Sequence, residues 1–162
     1  MAKQKLPKTP AVRYLQNSGI PFEPRFYKYE EKGGTRVSAR ELDVSEHVVI
    51  KTLVMEDENN NPFIVLMHGD KQVSLKNMAR ILRVKSVQPC SPDKVTKHTG
   101  YLTGGTSPFG TKKRLNVFME ETILNLDEIF INGGKRGLLV KIASSDVKEI
   151  LNAETVRVGI NG

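Results

Sequence analysis

The sequence predicts an α+β fold, with a mixed, barrel-like β-sheet core and short helices around it, in one domain over residues 1–162. Three observations carry that prediction. Strand-like and helix-like stretches are interleaved without the regular βαβ alternation of a doubly wound sheet. Val48–Met55 and Pro62–Met67 are two apolar, β-branched runs separated by the polar turn Asp57-Glu-Asn-Asn-Asn61, which reads as a hairpin. At 162 residues with no repeat, low-complexity run or linker, the chain suits one core.

The elements follow in order. Residues 1–8 form a basic, loose tail. Thr9-Pro10 reads as a helix N-cap followed by proline at the first helical position, where its missing N–H costs nothing. That helix turns Val12 and Leu15 inward and stops at Gly19, whose backbone reaches the left-handed region without strain. Phe22–Tyr29 reads as a strand, broken by Lys32-Gly33-Gly34. Ser38-Ala-Arg-Glu41 has the form of a capping box opening a short helix to about Val44. After the hairpin, His68-Gly69-Asp70 closes the second strand. Ser74 caps a helix with Leu75, Met78, Ala79 and Leu82 on one face. Val84–Val87 is a short strand, and Ser91-Pro92-Asp93 starts a helix ending near His98 and Gly100. Leu115–Met119 is a strand. Glu128–Ile131 pairs with Leu138–Ile142 across a turn at Gly133-Gly134. Ser144 or Ser145 caps a last helix burying Val147, Ile150 and Leu151. Val156–Val158 adds a strand before a loose tail at 159–162.

Composition narrows the class. With 25 Lys and Arg against 18 Asp and Glu, the net charge is +7, which favours polyanionic partners such as nucleic acid. No apolar run approaches the roughly 20 residues of a membrane helix. The N-terminus lacks the apolar core of a signal peptide. One cysteine, Cys90, excludes an internal disulfide and fits a reducing compartment. The expectation is a cytoplasmic protein without membrane partners.

Two segments concentrate chemistry. Thr99–Arg114 holds Gly100, Gly104, Gly105 and Gly110 with Pro108, then Lys112, Lys113 and Arg114. Glycine carries the largest backbone entropy cost, so such a cluster points to close approach of a ligand to main-chain groups, and the cations point to an anionic one. Asn132-Gly-Gly-Lys-Arg-Gly137 repeats the theme, although both segments also read as tight turns with solvated cations. No Walker or dinucleotide pattern is present. Lys51 lies inside an apolar strand, where a charge is costly unless it reaches water, a partner or a ligand. It either faces solvent or projects into a pocket to hold a phosphate or a carbonyl oxygen. Tyr27 and Tyr29, alternating with Phe26, pack a sheet or wall a stacked base. His47, His68 and His98 are scattered and lack ligand spacing, so no metal and no cofactor is expected. Cys90 reads as a packed thiol rather than a nucleophile, and Asp146 as a first-turn helix acid.

Thr9-Pro-Ala-Val12, Lys51-Thr-Leu53, Thr99-Gly-Tyr-Leu-Thr-Gly-Gly-Thr-Ser-Pro-Phe-Gly110 and Asn132-Gly-Gly-Lys-Arg-Gly137, in this order and spacing, resemble the YbaK/EbsC family. These are free-standing aminoacyl-tRNA deacylases, similar to the editing domain inserted in bacterial prolyl-tRNA synthetases. The resemblance runs over about residues 9–158. It implies removal of a wrongly attached small amino acid (cysteine, alanine or similar, from tRNA-Pro among others) by ester hydrolysis or substrate-assisted cleavage. It implies catalytic roles for Lys51 and Gly104, and an aminoacyl pocket drawing on Tyr27, Gly105, Thr106, Ser107, Asn132, Gly133 and Leu139. Aminoacylated tRNA is the implied partner, with a prolyl-tRNA synthetase or another synthetase beside it. Lys112, Lys113, Arg114, Lys135 and Arg136 offer a tRNA contact surface. Two positions depart from relatives acting on cysteinyl-tRNA: Asn132 stands where those have serine, and Leu139 where those have an acid. That leaves the amino-acid specificity open and keeps a non-catalytic tRNA- or synthetase-binding module as the rival reading.

Overall fold

The computed structural model describes residues 5–162; the first half of the basic tail lies outside the described residues. The core is one mixed sheet in which β1 (Phe22–Phe26), β8 (Leu138–Ala143), β7 (Glu128–Lys135), β2 (Val49–Asp57), β3 (Pro62–His68), β6 (Val117–Glu120) and β9 (Glu154–Val156) lie side by side in that order. β7 runs parallel to β2, and β6 parallel to both β3 and β9; the other neighbours are antiparallel. A short strand, β5 (Val87–Pro89), pairs with the end of β2, and β4 (Lys71–Val73) pairs separately with β10 (Gly159–Asn161).

Both faces of the β2–β3 hairpin are buried, which is why these strands read as continuous apolar runs. Ile50, Val54, Ile64 and Leu66 pack with α1 (Pro10–Ser18) and α5 (Ser144–Leu151) through Leu15 and Val147. Met55, Phe63, Val65 and Met67 pack on the opposite face with Met78 and Ala79 of α3 (Leu75–Leu82). α2 (Gly34–Leu42) and α4 (Pro92–Thr99) complete the helices.

Local chemistry explains most boundaries. Thr9, Ser74 and Ser91 each accept a main-chain N–H three residues on, as N-caps do, and Gly19 and Gly100 close α1 and α4 in the left-handed region. Asp57 Oδ1 accepts from the N–H groups of Asn59 (2.8 Å) and Asn61 (3.0 Å), fixing the hairpin turn.

Six expectations are corrected. The first strand stops at Phe26, leaving Tyr27 and Tyr29 in the segment leading to α2. Ser38 lies inside α2 rather than capping it, and donates to Thr35 O. The short strand is shifted from Val84 to Val87–Pro89. Gly133-Gly134 form a bulge within β7, because Thr9 donates to Gly133 O (2.6 Å) and α1 packs there; the hairpin turns at Arg136-Gly137 instead. Neither Ser144 nor Ser145 caps α5: Ser144 Oγ is taken by Leu126 O. Finally, the strand placed at Val156–Val158 is Glu154–Val156, and Gly159–Asn161 of the expected loose tail is a paired strand. Its anchor is Glu120, 2 % exposed, which accepts from the N–H groups of Val158 (2.8 Å) and Gly159 (2.7 Å).

Candidate active site

The pocket forms where the ladder on one edge of β2 is interrupted. That edge pairs with β7 at Val49 and Ile50 and with β5 from Met55 to Asp57. Between them, Lys51–Val54 line an open pocket of about 910 Å³. Main-chain groups of a strand point alternately to its two neighbours. Val49 O accepts from Gly69 N on the β3 side, whereas Val54 O accepts from Cys90 N on the β5 side. Thr52 therefore presents both its N–H and its C=O to the gap. Continuing the β5 register brings Thr52 opposite Pro92, the first residue of α4, which has no N–H to donate. The hydroxyl of Thr52 is buried with no hydrogen-bond partner. Thr52 thus turns its main-chain groups toward the gap and holds an unpartnered hydroxyl inside a mostly apolar wall.

Lys51 alternates to the other face, where Gln72, Val73 and Leu75 continue the wall. Its ammonium is half-buried and donates to Lys71 O in β4. Burial pulls the Lys51 pKa below the ordinary lysine value, against the opposing pull of Glu46 and Asp70. A cation with one protein partner and two free N–H bonds, aimed along a pocket, is suited to a carbonyl or phosphate oxygen.

The mouth is built from the glycine loop. Gly104 sits at φ +88°, and a Cβ there would meet Tyr29 Oη at 2.6 Å, so both the conformation and the space require glycine. Asn132 Nδ2 donates to Gly104 O (3.1 Å). Arg136 Nε donates to Thr103 O (2.8 Å), and its guanidinium lies over the Tyr29 ring, 5.2 Å from the centroid. The loop is thereby clamped to the β7–β8 hairpin. Tyr27 lines the pocket, and burial pushes its phenol pKa up. Leu139, 3 % exposed, joins Val37 and Val49 in an apolar wall.

Of the residues singled out from the sequence, Lys51, Gly104, Tyr27, Thr106, Asn132, Leu139 and Arg136 line this pocket. Gly105 packs against the Arg136 backbone, and a Cβ there would approach Arg136 N at 2.9 Å. Ser107 is wholly buried and accepts from Phe109 N, and Gly133 holds Thr9, so both support the loop and bulge from behind. The main-chain N–H groups of Lys112 and Lys113 return to Thr99 O and His98 O. Arg114 lines a separate cavity of about 330 Å³ with Asn152 and Glu154. Lys135 is exposed. Thr52 was overlooked in the sequence. Pro92 was its one trace, and register cannot be read before pairing is known.

The histidines are not scattered as the sequence suggested: His47 and His68 stack at 3.8 Å and 7°, and His47 Nδ1 lies 2.9 Å from Asp70. This trio has the spacing of metal ligands. Its orientation argues against that use, because parallel rings send their in-plane lone pairs in parallel. His68 is also engaged at both nitrogens, donating to His47 O and meeting Thr122 Oγ1, each at 2.8 Å. Cys90 is buried beside Glu56, which together with desolvation raises its thiol pKa to about 11; it stays protonated and unreactive.

A rigid strand cation and a glycine mouth frame a pocket whose chemistry suits a carbonyl or phosphate oxygen. Comparison with known proteins agrees: residues 31–150 match the aminoacyl-tRNA editing domain, and the chain belongs to that family. An Enterococcus faecalis protein, EbsC, whose name carries a proposed Cys-tRNA(Pro)/Cys-tRNA(Cys) deacylase designation, is 27 % identical over 156 residues, covering 95 % of each chain. A proline–tRNA ligase of Thermodesulfovibrio yellowstonii is 33 % identical over 82 residues, 51 % of this chain and 13 % of the ligase. A crystal structure described as a proposed trans-editing enzyme for prolyl-tRNA synthetase superposes with a TM-score of 0.84 at 19 % identity, covering 97 % of this chain and all of that one. The mixed α+β fold is that of this structural neighbour. Among the described residues, no helix is long and apolar enough to cross a membrane.

Proposed function

We propose that the protein is a free-standing deacylase that hydrolyses the ester joining a wrongly attached small amino acid to tRNA. The carrying observation is a half-buried strand ammonium, Lys51, lining the same pocket as the close-approach loop at Gly104. In this reading Lys51 holds the ester carbonyl oxygen and stabilises the negative charge that develops on it. Water attacks the carbonyl carbon, the bond to the ribose oxygen breaks, that oxygen takes up the proton, and the free amino acid leaves. Gly104 admits the terminal ribose to the mouth without a side chain in the way, and Tyr27 and Tyr29 flank it. An activated ester asks for only a modest barrier reduction, so one cation and oriented dipoles suffice.

Leu139, Val37 and Val49 give the wall an apolar character that favours a small uncharged side chain, alanine ahead of cysteine. The similarity to EbsC and to part of a proline–tRNA ligase supports tRNA-Pro as the carrier and a synthetase as a companion.

The test is deacylation of Ala-, Ser- and Cys-tRNA-Pro by wild type and Lys51→Ala. Multiple turnovers by wild type, lost in a folded variant, are expected. Stoichiometric tRNA binding without turnover on any substrate would replace this reading with a non-catalytic module.

A further inference from the structure

The strand that walls the pocket on the Lys51 side continues into an acid-free, cationic stretch of the chain. From Lys71 through Pro92 the sequence holds five cations (Lys71, Lys76, Arg80, Arg83 and Lys85) and no acid. Lys76, Arg80 and Arg83 recur at i, i+4 and i+7, which puts them on one stripe of α3 and its C-cap. All three are exposed, and none forms an ion pair among the described residues. Their spacing along the axis, about 4.5–6 Å, comes from the helical rise. Glu58, at the far end of this segment, accepts from the N–H groups of Lys85 and Ser86. The stripe begins at the pocket, because Gln72, Val73 and Leu75 line it and Leu75 opens α3.

We infer that this face of α3 is a docking track for the sugar–phosphate backbone of the tRNA acceptor arm. The inference rests on the deacylase reading and extends it. A polynucleotide whose 3′ end enters the pocket must leave across its rim, and an acid-free cationic stripe beginning at that rim is complementary to it. Of the patch expected from the sequence, Arg136 lines the pocket, where its Nε donates to Thr103 O and its guanidinium lies over the Tyr29 ring.

The test compares Arg80→Gln/Arg83→Gln with Lys112→Gln/Lys113→Gln on Ala-tRNA-Pro and on a short aminoacyl-nucleotide carrying the same ester. For the α3 pair, KM for the tRNA rises about 10-fold or more at low salt, and the slope of log KM against log salt falls by about 1.5. Its kcat, its activity on the short substrate and its melting temperature stay at the wild-type values. An unchanged KM and salt slope, or an equal or larger effect from the 112–113 pair, overturns the inference. Filter binding of uncharged tRNA reads the track even if wild type turns over nothing, so the two readings fail separately. Unweakened binding by the α3 pair then sinks the track alone.

Discussion

Glu120 and Thr52 are both polar groups in the interior, treated in opposite ways. Glu120 is a charge, yet it is answered: the N–H groups of Val158, Gly159 and Thr122 donate to it, and the Thr122 hydroxyl lies 3.0 Å away. These bonds outweigh burial and hold its pKa below the usual carboxylate value. Thr52 is neutral, and its hydroxyl finds no partner at all. The first arrangement fastens the C-terminal strand β10 through its first residue, Gly159, and β10 in turn pairs with β4, whose Lys71 O receives the Lys51 ammonium. The second arrangement leaves an unpartnered hydroxyl inside the wall of the pocket. A satisfied buried group builds the scaffold, while an unsatisfied one on a pocket wall marks what the scaffold serves.

Substitutions can break or sharpen this contrast. The largest effect is expected from Glu120→Ala, which strands the Val158 and Gly159 N–H groups and costs about 3–5 kcal/mol of unfolding free energy in urea titrations. An unchanged midpoint would mean that Glu120 does not hold the C-terminal strand. Next is Lys51→Met, which removes a half-buried cation. Deacylation falls by about 100-fold or more, while the melting temperature holds or rises because the charge was paying for desolvation. A variant that melts early would make Lys51 a structural residue.

Thr52→Val keeps the branched shape and deletes only the hydroxyl. Activity drops about 10-fold, and stability stays level or gains up to about 1 kcal/mol, since no protein bond is lost. Lost stability with retained activity would place Thr52 on the scaffold side of the comparison.

The smallest expected effect is in pH. Burial lowers the pKa of His68 and His98. Above the ordinary histidine value of about 6.5 both are neutral, folded or unfolded. As pH falls below it, the unfolded chain takes up protons first, so stability declines until the folded pKa values are passed. Thermal melts between pH 7.5 and 5.5 should show this decline, shallower in His68→Gln. His47, Asp70 and Glu120 around His68 modulate it. An identical slope in the variant would remove His68 from the balance.

Much of this was legible before any tertiary contact was known. Thr9-Pro10, Ser74 and Ser91-Pro92 announce helix starts through side chains that reach only three residues, and the Asp57 turn between apolar runs announces the hairpin. Lys51 stood out because a lone charge in a buried strand needs a reason. The failures share a cause. Ser144 has the chemistry of a cap, but the distant Leu126 carbonyl claims it. Gly133-Gly134 has the composition of a turn, but the arrival of Thr9 makes it a bulge.

The sequence by itself determined the α+β class, the capped helices, the central hairpin, the excess of positive charge and the cation at position 51, because each follows from short-range sterics, capping or burial. Only the tertiary structure decided which strand edge stays open, which polar groups find partners and where the cations gather. Those depend on register and on residues far apart in the chain. A hydrogen bond formed between such residues fixes each partner in place, and the gap between the β7 and β5 pairings of β2 opens the candidate pocket.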